Sequence, residues 1–212
     1  MSEIKIKPIH AKDEWEGFLE NHTEANFLQS WYWGEFHARL GKAIQRSGFY
    51  KDRKLVGVML SVVENAKRGR YLTVPGGPVI DWQNPNLVGA FVKEIKRIAK
   101  DQNCVFVRIR PQLESSEFSK NLFKQLGFIN SPMHLHAELT SQLTITKTED
   151  ELISQMRKTT RYEIKKAIKQ GIKIKTSTEL SLIKNFYDLQ IQTAKRQKFV
   201  PFSYDFLYEQ FK

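Results

Sequence analysis

The sequence predicts a mixed α/β chain, and three observations carry that prediction. Residues 43–80 hold three short β-rich runs separated by polar or Pro/Gly turns. Asn84 to Asp101 is amphipathic with helical period, placing Leu87, Phe91, Ile95 and Ile98 on one face. From there to the C-terminus helical and extended patterns alternate, as α/β layering requires.

In order, Ile4-Lys5-Ile6-Lys7-Pro8-Ile9 alternates and reads as an opening strand. Asp13 is placed to cap a helix through Trp15, Phe18 and Leu19 to about Asn21. Ser30 suits an N-cap and Gly41 a C′ stop for a helix over the aromatic run between them. Ala43–Tyr50, Leu55–Val63 and Arg70–Val74 form an antiparallel meander, with Lys51-Asp52-Arg53-Lys54 as its first turn and Pro75-Gly76-Gly77-Pro78 closing its third strand. After the helix over 84–101, Val105–Arg110 is a strand ended by Pro111. Ser115 or Ser116 opens a helix closed by Gly127, and residues 128–129 and 137–145 are the next strands. The pattern then restarts, with a long helix over 150–170, a strand over 172–175, a helix over 177–195 and a last helix over 203–211. The restart places a domain boundary near residue 140, dividing the chain into 1–140 and 141–212. A terminal helix still rich in aromatics marks the second unit as incomplete.

With 212 residues and 41% apolar content the chain can bury a core. No run approaches the ~20 apolar residues that span a bilayer, and the first residues lack a signal peptide's apolar segment. The one cysteine, Cys104, permits no intrachain disulfide and reads as a packed small apolar residue. A cytoplasmic location is expected. The net charge of +11 is unevenly spread: residues 157–175 carry eight basic residues and one acidic. Such a patch attracts phosphates, in RNA, in nucleotide diphosphates or on anionic lipid.

Three segments are candidates for chemistry. Within Phe27–Gly41, Trp33 and Phe36 either pack a helix on a sheet or frame a cleft toward which His37 points. The glycines of Pro75-Gly76-Gly77-Pro78 permit a sharp turn and close backbone approach, to protein or to ligand. No Gly-Lys-Ser/Thr follows, so this is no P-loop. In a helix over 150–170, Leu152, Met156, Thr160, Ile164 and Ile168 form one row. The other side collects Arg157, Lys158, Arg161, Lys165, Lys166 and Lys169. Like charges four apart destabilise an isolated helix, and a solvated face usually mixes signs, so an anionic ligand is expected there. His134-x-His136 lacks further metal ligands at convincing spacing, and no metal is expected.

Taken together, these segments resemble the Fem family of non-ribosomal peptidyl transferases. The resemblance lies in Gln29-Ser30-Trp31-Tyr32-Trp33-Gly34-Glu35-Phe36-His37, in Gly77-Pro78-Val79-Ile80-Asp81 and in Arg108-Ile109-Arg110-Pro111. It continues in the basic helix from Arg157 to Gly171 and in Thr193-Ala194-Lys195-Arg196-Gln197-Lys198-Phe199. It implies tandem acetyltransferase-like (GNAT-like) domains with a cleft between them, the second truncated here. It also implies transfer of an amino acid from aminoacyl-tRNA to the peptide amine of a peptidoglycan precursor, either lipid II or UDP-MurNAc-pentapeptide. Aminoacyl-tRNA is then a co-substrate, with no cofactor, and the inner membrane face is a peripheral contact. The implied substrate-binding residues are Trp33, His37, Gly76, Gly77, Arg108, Lys158, Arg161, Tyr162, Lys165 and Arg196. No catalytic residue carries over: His37 stands where the family often has Lys, and Arg110 where some members have an acid. Two rival readings remain open. One is a coenzyme A-dependent acyltransferase, whose pyrophosphate loop finds its nearest match in Gln45-Arg46-Ser47-Gly48-Phe49-Tyr50. The other is a non-catalytic RNA-binding module resting on the basic helix.

Overall fold

The structure, a computed structural model, describes residues 3–67, 69–133, 141 and 143–212. Its centre is a six-stranded sheet of order β1-β2-β3-β4-β6, with β5 paired to β3. The strands are β1 (Lys5–Pro8), β2 (Ile44–Lys51), β3 (Lys54–Ala66), β4 (Gly69–Val74), β5 (Val79–Ile80) and β6 (Phe106–Ile109). All pairs are antiparallel except β4 with β6, which run parallel. The β2–β3 connection places Asp52 and Arg53 at positive φ, as a two-residue hairpin turn demands.

Side chains of β3 alternate between two cores, as strand geometry dictates. Val58, Leu60 and Val62 join Ile9, Trp15 and Leu19 on one face. That face is covered by α1 (Lys12–Glu20) and α2 (Trp31–Arg39). Met59 and Val63 join Leu72, Val74, Phe91 and Ile95 on the other, under α3 (Pro85–Asp101) and α4 (Glu117–Gln125). Asn84 caps α3, accepting from Asn86 and Leu87 N–H, with Pro85 opening the helix. Ser116 and Ser119 form a capping box on α4, and Gly127 closes it at φ +80°. Glu94 is the one acid of α3 turned into the core. Its carboxylate accepts from Ser47 Oγ (2.9 Å) on β2 and from Arg97 Nε and Nη2 (2.9 Å each). Burial pushes the Glu94 carboxyl up, but these hydrogen bonds outweigh burial and hold it below its ordinary value.

The remaining elements are α5 (Glu149–Gln155), α6 (Lys158–Lys169), α7 (Ile183–Gln197) and α8 (Tyr204–Phe211). Among the described residues, no helix is long and apolar enough to cross a membrane.

Several boundaries differ from the sequence reading. Asp13 does not cap α1; it lies in the first turn, where its negative charge complements the positive end of the helix dipole. Residues 128–129 are irregular, and Phe128 packs against the core rather than pairing. Of the strand expected over 137–145, residues 137–140 and 142 lie outside the described residues, and 143–145 are irregular. The expected boundary near residue 140 and His134-x-His136 also lie outside the described residues. The helix expected over 150–170 is two helices. Met156 and Arg157 are extended (ψ 153° and 149°), which takes Arg157 out of the helix and removes one of the three like-charge pairs. Residues 172–175 are not in a sheet, and Ile174 is 93% exposed; their alternation finds no partner strand among the described residues. The helix expected from 177 begins at Ile183, after a 3-10 turn over Leu180–Leu182.

Candidate functional site

Helix α2 is built around its N-terminus and its glycine. Ser30 Oγ accepts from Trp33 N–H at 3.1 Å, capping the first turn. Arg46 reaches across from β2. Its Nη2 donates to Trp31 O and to Glu35 Oε1, both at 2.8 Å, and its guanidinium stacks 3.6 Å from the Trp31 ring centroid. A Cβ on Gly34 would sit 2.4 Å from Arg46 Nη2, which explains a glycine in mid-helix. Burial lowers the Arg46 pKa, while the Glu35 partner opposes that shift. On the next turn, Trp33 and His37 meet edge to face at 5.1 Å, and Phe36 flanks both. His37 is buried. The surroundings of His37 are thus mostly aromatic, and α2 packs its Phe36 against Phe206 of α8 at 5.1 Å.

The close backbone approach that Gly76 and Gly77 permit is taken up by the protein itself. A Cβ on Gly76 would lie 2.2 Å from Asn26 Oδ1, and one on Gly77 2.4 Å from Gln29 Cδ. Asn26 Nδ2 donates to Gly76 O at 2.6 Å. Gln29 is fully buried; its Nε2 donates to Pro75 O (2.7 Å) and Leu60 O (3.2 Å), and its Oε1 accepts from Leu60 N–H (2.8 Å). This one amide ties the lead-in to α2, the centre of β3 and the Pro75–Pro78 turn together. Its only trace in the sequence is a polar residue directly after Phe27-Leu28 and before the cap.

Beyond the cover of α1 and α2, the same sheet face continues over β4 and β6. Thr73 pairs with Val62 on one side and Arg108 on the other, and Tyr71 with Glu64 and Phe106. Tyr71 and Phe106 stack at 4.8 Å with planes 7° apart. Arg108 lies two residues along β6 on that face and donates to Ser131 Oγ at 2.7 Å. Glu64 is held by Lys42, which follows α2, at 2.7 Å. Burial and the Glu64 carboxylate raise the Tyr71 pKa, and the Arg108 charge works against them. Of the predicted residues, Arg108 is the one found here; Tyr71 and Phe106 were not singled out, since each reads as an ordinary strand aromatic.

The C-terminal candidates lie on helices whose surfaces are open. No residue of α6 is buried, so the expected enclosure of its cations in a cleft is not formed by the described residues. Lys158 and Lys165 are exposed, as is Tyr162, with Lys166 Nζ 6.0 Å from its ring centroid. Arg161 behaves differently. Its Nη1 donates to Ser154 O and Met156 O, both at 2.8 Å, satisfying carbonyls at the end of α5 and bracing the α5–α6 break. Arg196 is exposed in the last turn of α7. The structure therefore groups Trp33 and His37 on α2, with Gly76 and Gly77 beside its lead-in. It places Arg108 on the open sheet face, and Lys158, Arg161, Tyr162 and Lys165 together on α6.

Gln45–Tyr50, the nearest match to a pyrophosphate loop, runs within β2 and pairs with β3, with one register shift between Phe49 and Tyr50. A Cβ on Gly48 would lie 2.6 Å from Ile9 Cδ1, so that glycine faces protein rather than phosphate.

A model described as the FemAB family matches residues 11–132 and 132–212. A lipid II:glycine glycyltransferase of Staphylococcus epidermidis is 26% identical over 196 residues, covering 87% of this chain and 47% of its own. The enzyme of the same name from Staphylococcus aureus is 25% identical over 198 residues, covering 88% and 47%. The chain thus spans about half the length of these curated relatives. The crystal structure of FemX superposes with a TM-score of 0.75 at 21% identity, over 97% of this chain and 53% of that one. The fold is mixed α/β, as the sequence predicts, and is shared with FemX.

Proposed function

Since the chain belongs to the FemAB family, we propose that it serves the transfer of an amino acid from aminoacyl-tRNA to the peptide amine of a peptidoglycan precursor. The observation that carries this reading is similarity along 87% of the chain to proteins named lipid II:glycine glycyltransferase. The reaction is aminolysis of an ester. The acceptor amine attacks the aminoacyl carbonyl, the carbon–oxygen bond to the terminal ribose breaks, and the amine's proton ends on the ribose hydroxyl released. Its demands are orientation of two polyanionic substrates and stabilisation of the oxyanion.

The arrangement of this chain suits the first demand. Lys158 and Lys165 on the open surface of α6 attract RNA phosphates, and Arg108 on the sheet face offers a charge-assisted contact to a precursor phosphate or carboxylate. In this reading Trp33, His37, Gly76 and Gly77 shape the protein beneath the substrates: Trp33 and His37 pack edge to face, and Gly76 and Gly77 lie against Asn26 and Gln29. Arg161 fixes the placement of α6 rather than gripping phosphate. In this reading a lipid-linked acceptor is met at the membrane surface.

Calorimetric titration of the natural polypeptide carrying these residues with UDP-MurNAc-pentapeptide and, separately, with coenzyme A tests the reading. Saturable binding of the muropeptide and none of coenzyme A is expected. The reverse pattern would transfer the chain to the coenzyme A-dependent acyltransferases.

A further inference from the structure

We propose that Tyr71, Phe106 and Arg108 form a stacking subsite for an unpaired base at the end of an RNA strand. This rests on the reading that RNA is a substrate, and adds to it a place on the chain where the single-stranded part lies.

Tyr71 and Phe106 are direct partners in the parallel β4–β6 pair, and their rings stack at 4.8 Å and 7°. A cross-strand aromatic pair alone stabilises a sheet. Here, however, the pair lies on the face away from α3 and α4, and Phe106 remains 43% exposed at the outer strand of the pair. Its neighbours on that face are polar and charged: Thr73, Arg108, and the Glu64 carboxylate beside Tyr71, which Lys42 pairs at 2.7 Å. Arg108 lies two residues along, anchored by Ser131, and Thr73 separates it from Tyr71 along the register. The Arg108 charge is near enough to Tyr71 to act on its hydroxyl. A flat aromatic surface beside a fixed guanidinium is the combination that takes a base by its π-face and the adjoining phosphate by its charge.

The same geometry selects a polymer end over a free nucleotide. Among the described residues the platform is an open sheet face, whereas small ligands bind in concave sites that cover most of their surface. A single stacked base holds only when the rest of the molecule is retained elsewhere, so that stacking becomes an intramolecular step. The excess of eight basic residues over one acidic in 157–175 supplies that retention for a phosphate backbone. A paired stem offers no free base face except at its end, so the unpaired overhang is what the platform reads.

The test uses two fluorescein-labelled RNA hairpins, one with a four-nucleotide 3′ overhang and one blunt, with binding to the natural polypeptide followed by anisotropy. The wild type is expected to prefer the overhang hairpin by about fivefold or more, the scale of one stacked base. Phe106→Ala should erase the preference while leaving blunt-hairpin affinity unchanged, Arg108→Gln should reduce the preference, and Phe106→Trp should keep it, separating loss of stacking from loss of fold. Equal affinity of the wild type for both hairpins, or a preference that survives Phe106→Ala, overturns the proposal while leaving RNA as a substrate intact. Displacement of the overhang by millimolar UMP would also overturn it, by making the platform a free-nucleotide site. Binding of neither hairpin would overturn the RNA reading itself.

Discussion

Arg39, the last residue of α2, and Glu209, within α8, meet at 2.9 Å across 170 positions of sequence. Arg39 Nη2 also donates to the Glu209 carbonyl at 3.0 Å, so side chain and backbone of α8 are held together. Beneath them Phe36 meets Phe206 edge to face, and Leu207 is buried. The helix that carries Trp33 and His37 is therefore also the surface on which the chain's last helix docks. The ion pair is partly exposed and contributes about 0.5 kcal/mol; the aromatic contact contributes about 1 kcal/mol beyond its buried area. A double-mutant cycle on Phe36→Leu and Phe206→Leu, read by urea unfolding, should return a coupling of about 1 kcal/mol. Additivity within about 0.3 kcal/mol would mean that α8 does not rest on α2 in solution.

Gly77→Ala places a methyl 2.4 Å from the buried Gln29 amide. Because Gln29 also serves Leu60 and Pro75, it cannot move aside without stranding buried backbone groups. A loss of about 2–4 kcal/mol is expected, and Gln29→Ala should lose a similar amount. A Gly77→Ala protein of unchanged stability but weakened substrate binding would instead put that glycine against substrate.

Glu94 links α3 to β2 through Ser47 and to its own helix through Arg97. Its folded pKa lies below the ordinary value of 4.5. The stability it contributes is therefore full above pH 4.5 and is lost as pH falls through the folded value. Urea midpoints measured from pH 6 down to pH 3 should fall for the wild type through that window. Glu94→Gln should show a lower midpoint at pH 6 and a shallower fall. Parallel curves would remove Glu94 from the acid response.

The cations of α6 divide into two kinds. Lys158→Ala and Lys165→Ala should each weaken RNA binding and lower the slope of log K against log salt by about 0.7–0.9, with unfolding unaffected. Arg161→Ala should cost stability of the α5–α6 segment, seen as faster amide exchange at Ser154 to Met156, because it leaves two carbonyls without their donor. An Arg161 variant with undisturbed exchange and lost RNA binding would reverse that division.

What the sequence makes legible here is local. Ser30, Asn84 and Ser116 act as the caps their residue types announce, and the apolar spacing of Leu87, Phe91, Ile95 and Ile98 locates α3 and its buried face. What it hides depends on distant partners. At the Met156–Arg157 break the Arg161 side chain turns back onto the Ser154 and Met156 carbonyls, a contact no periodicity reports. Ile172-Lys173-Ile174-Lys175 has a strand's alternation, yet alternation makes a strand only beside another edge. For the site, Arg108 is visible in its motif, but its association with Tyr71 and Phe106 appears only once β4 and β6 are set in parallel register. Gly76 and Gly77 are visible as a close approach, while what approaches them, Asn26 and Gln29, lies some fifty residues away in the chain.

The most direct test of the transferase reading is mass spectrometry of the acceptor. The natural polypeptide carrying these residues is incubated with lipid II or UDP-MurNAc-pentapeptide and a pool of charged tRNAs, with and without prior ribonuclease treatment. The account predicts a precursor heavier by one amino-acid residue, formed only when the RNA is intact. A precursor whose mass never changes with charged tRNA, but rises by an acyl group when acetyl-coenzyme A is supplied, would contradict it.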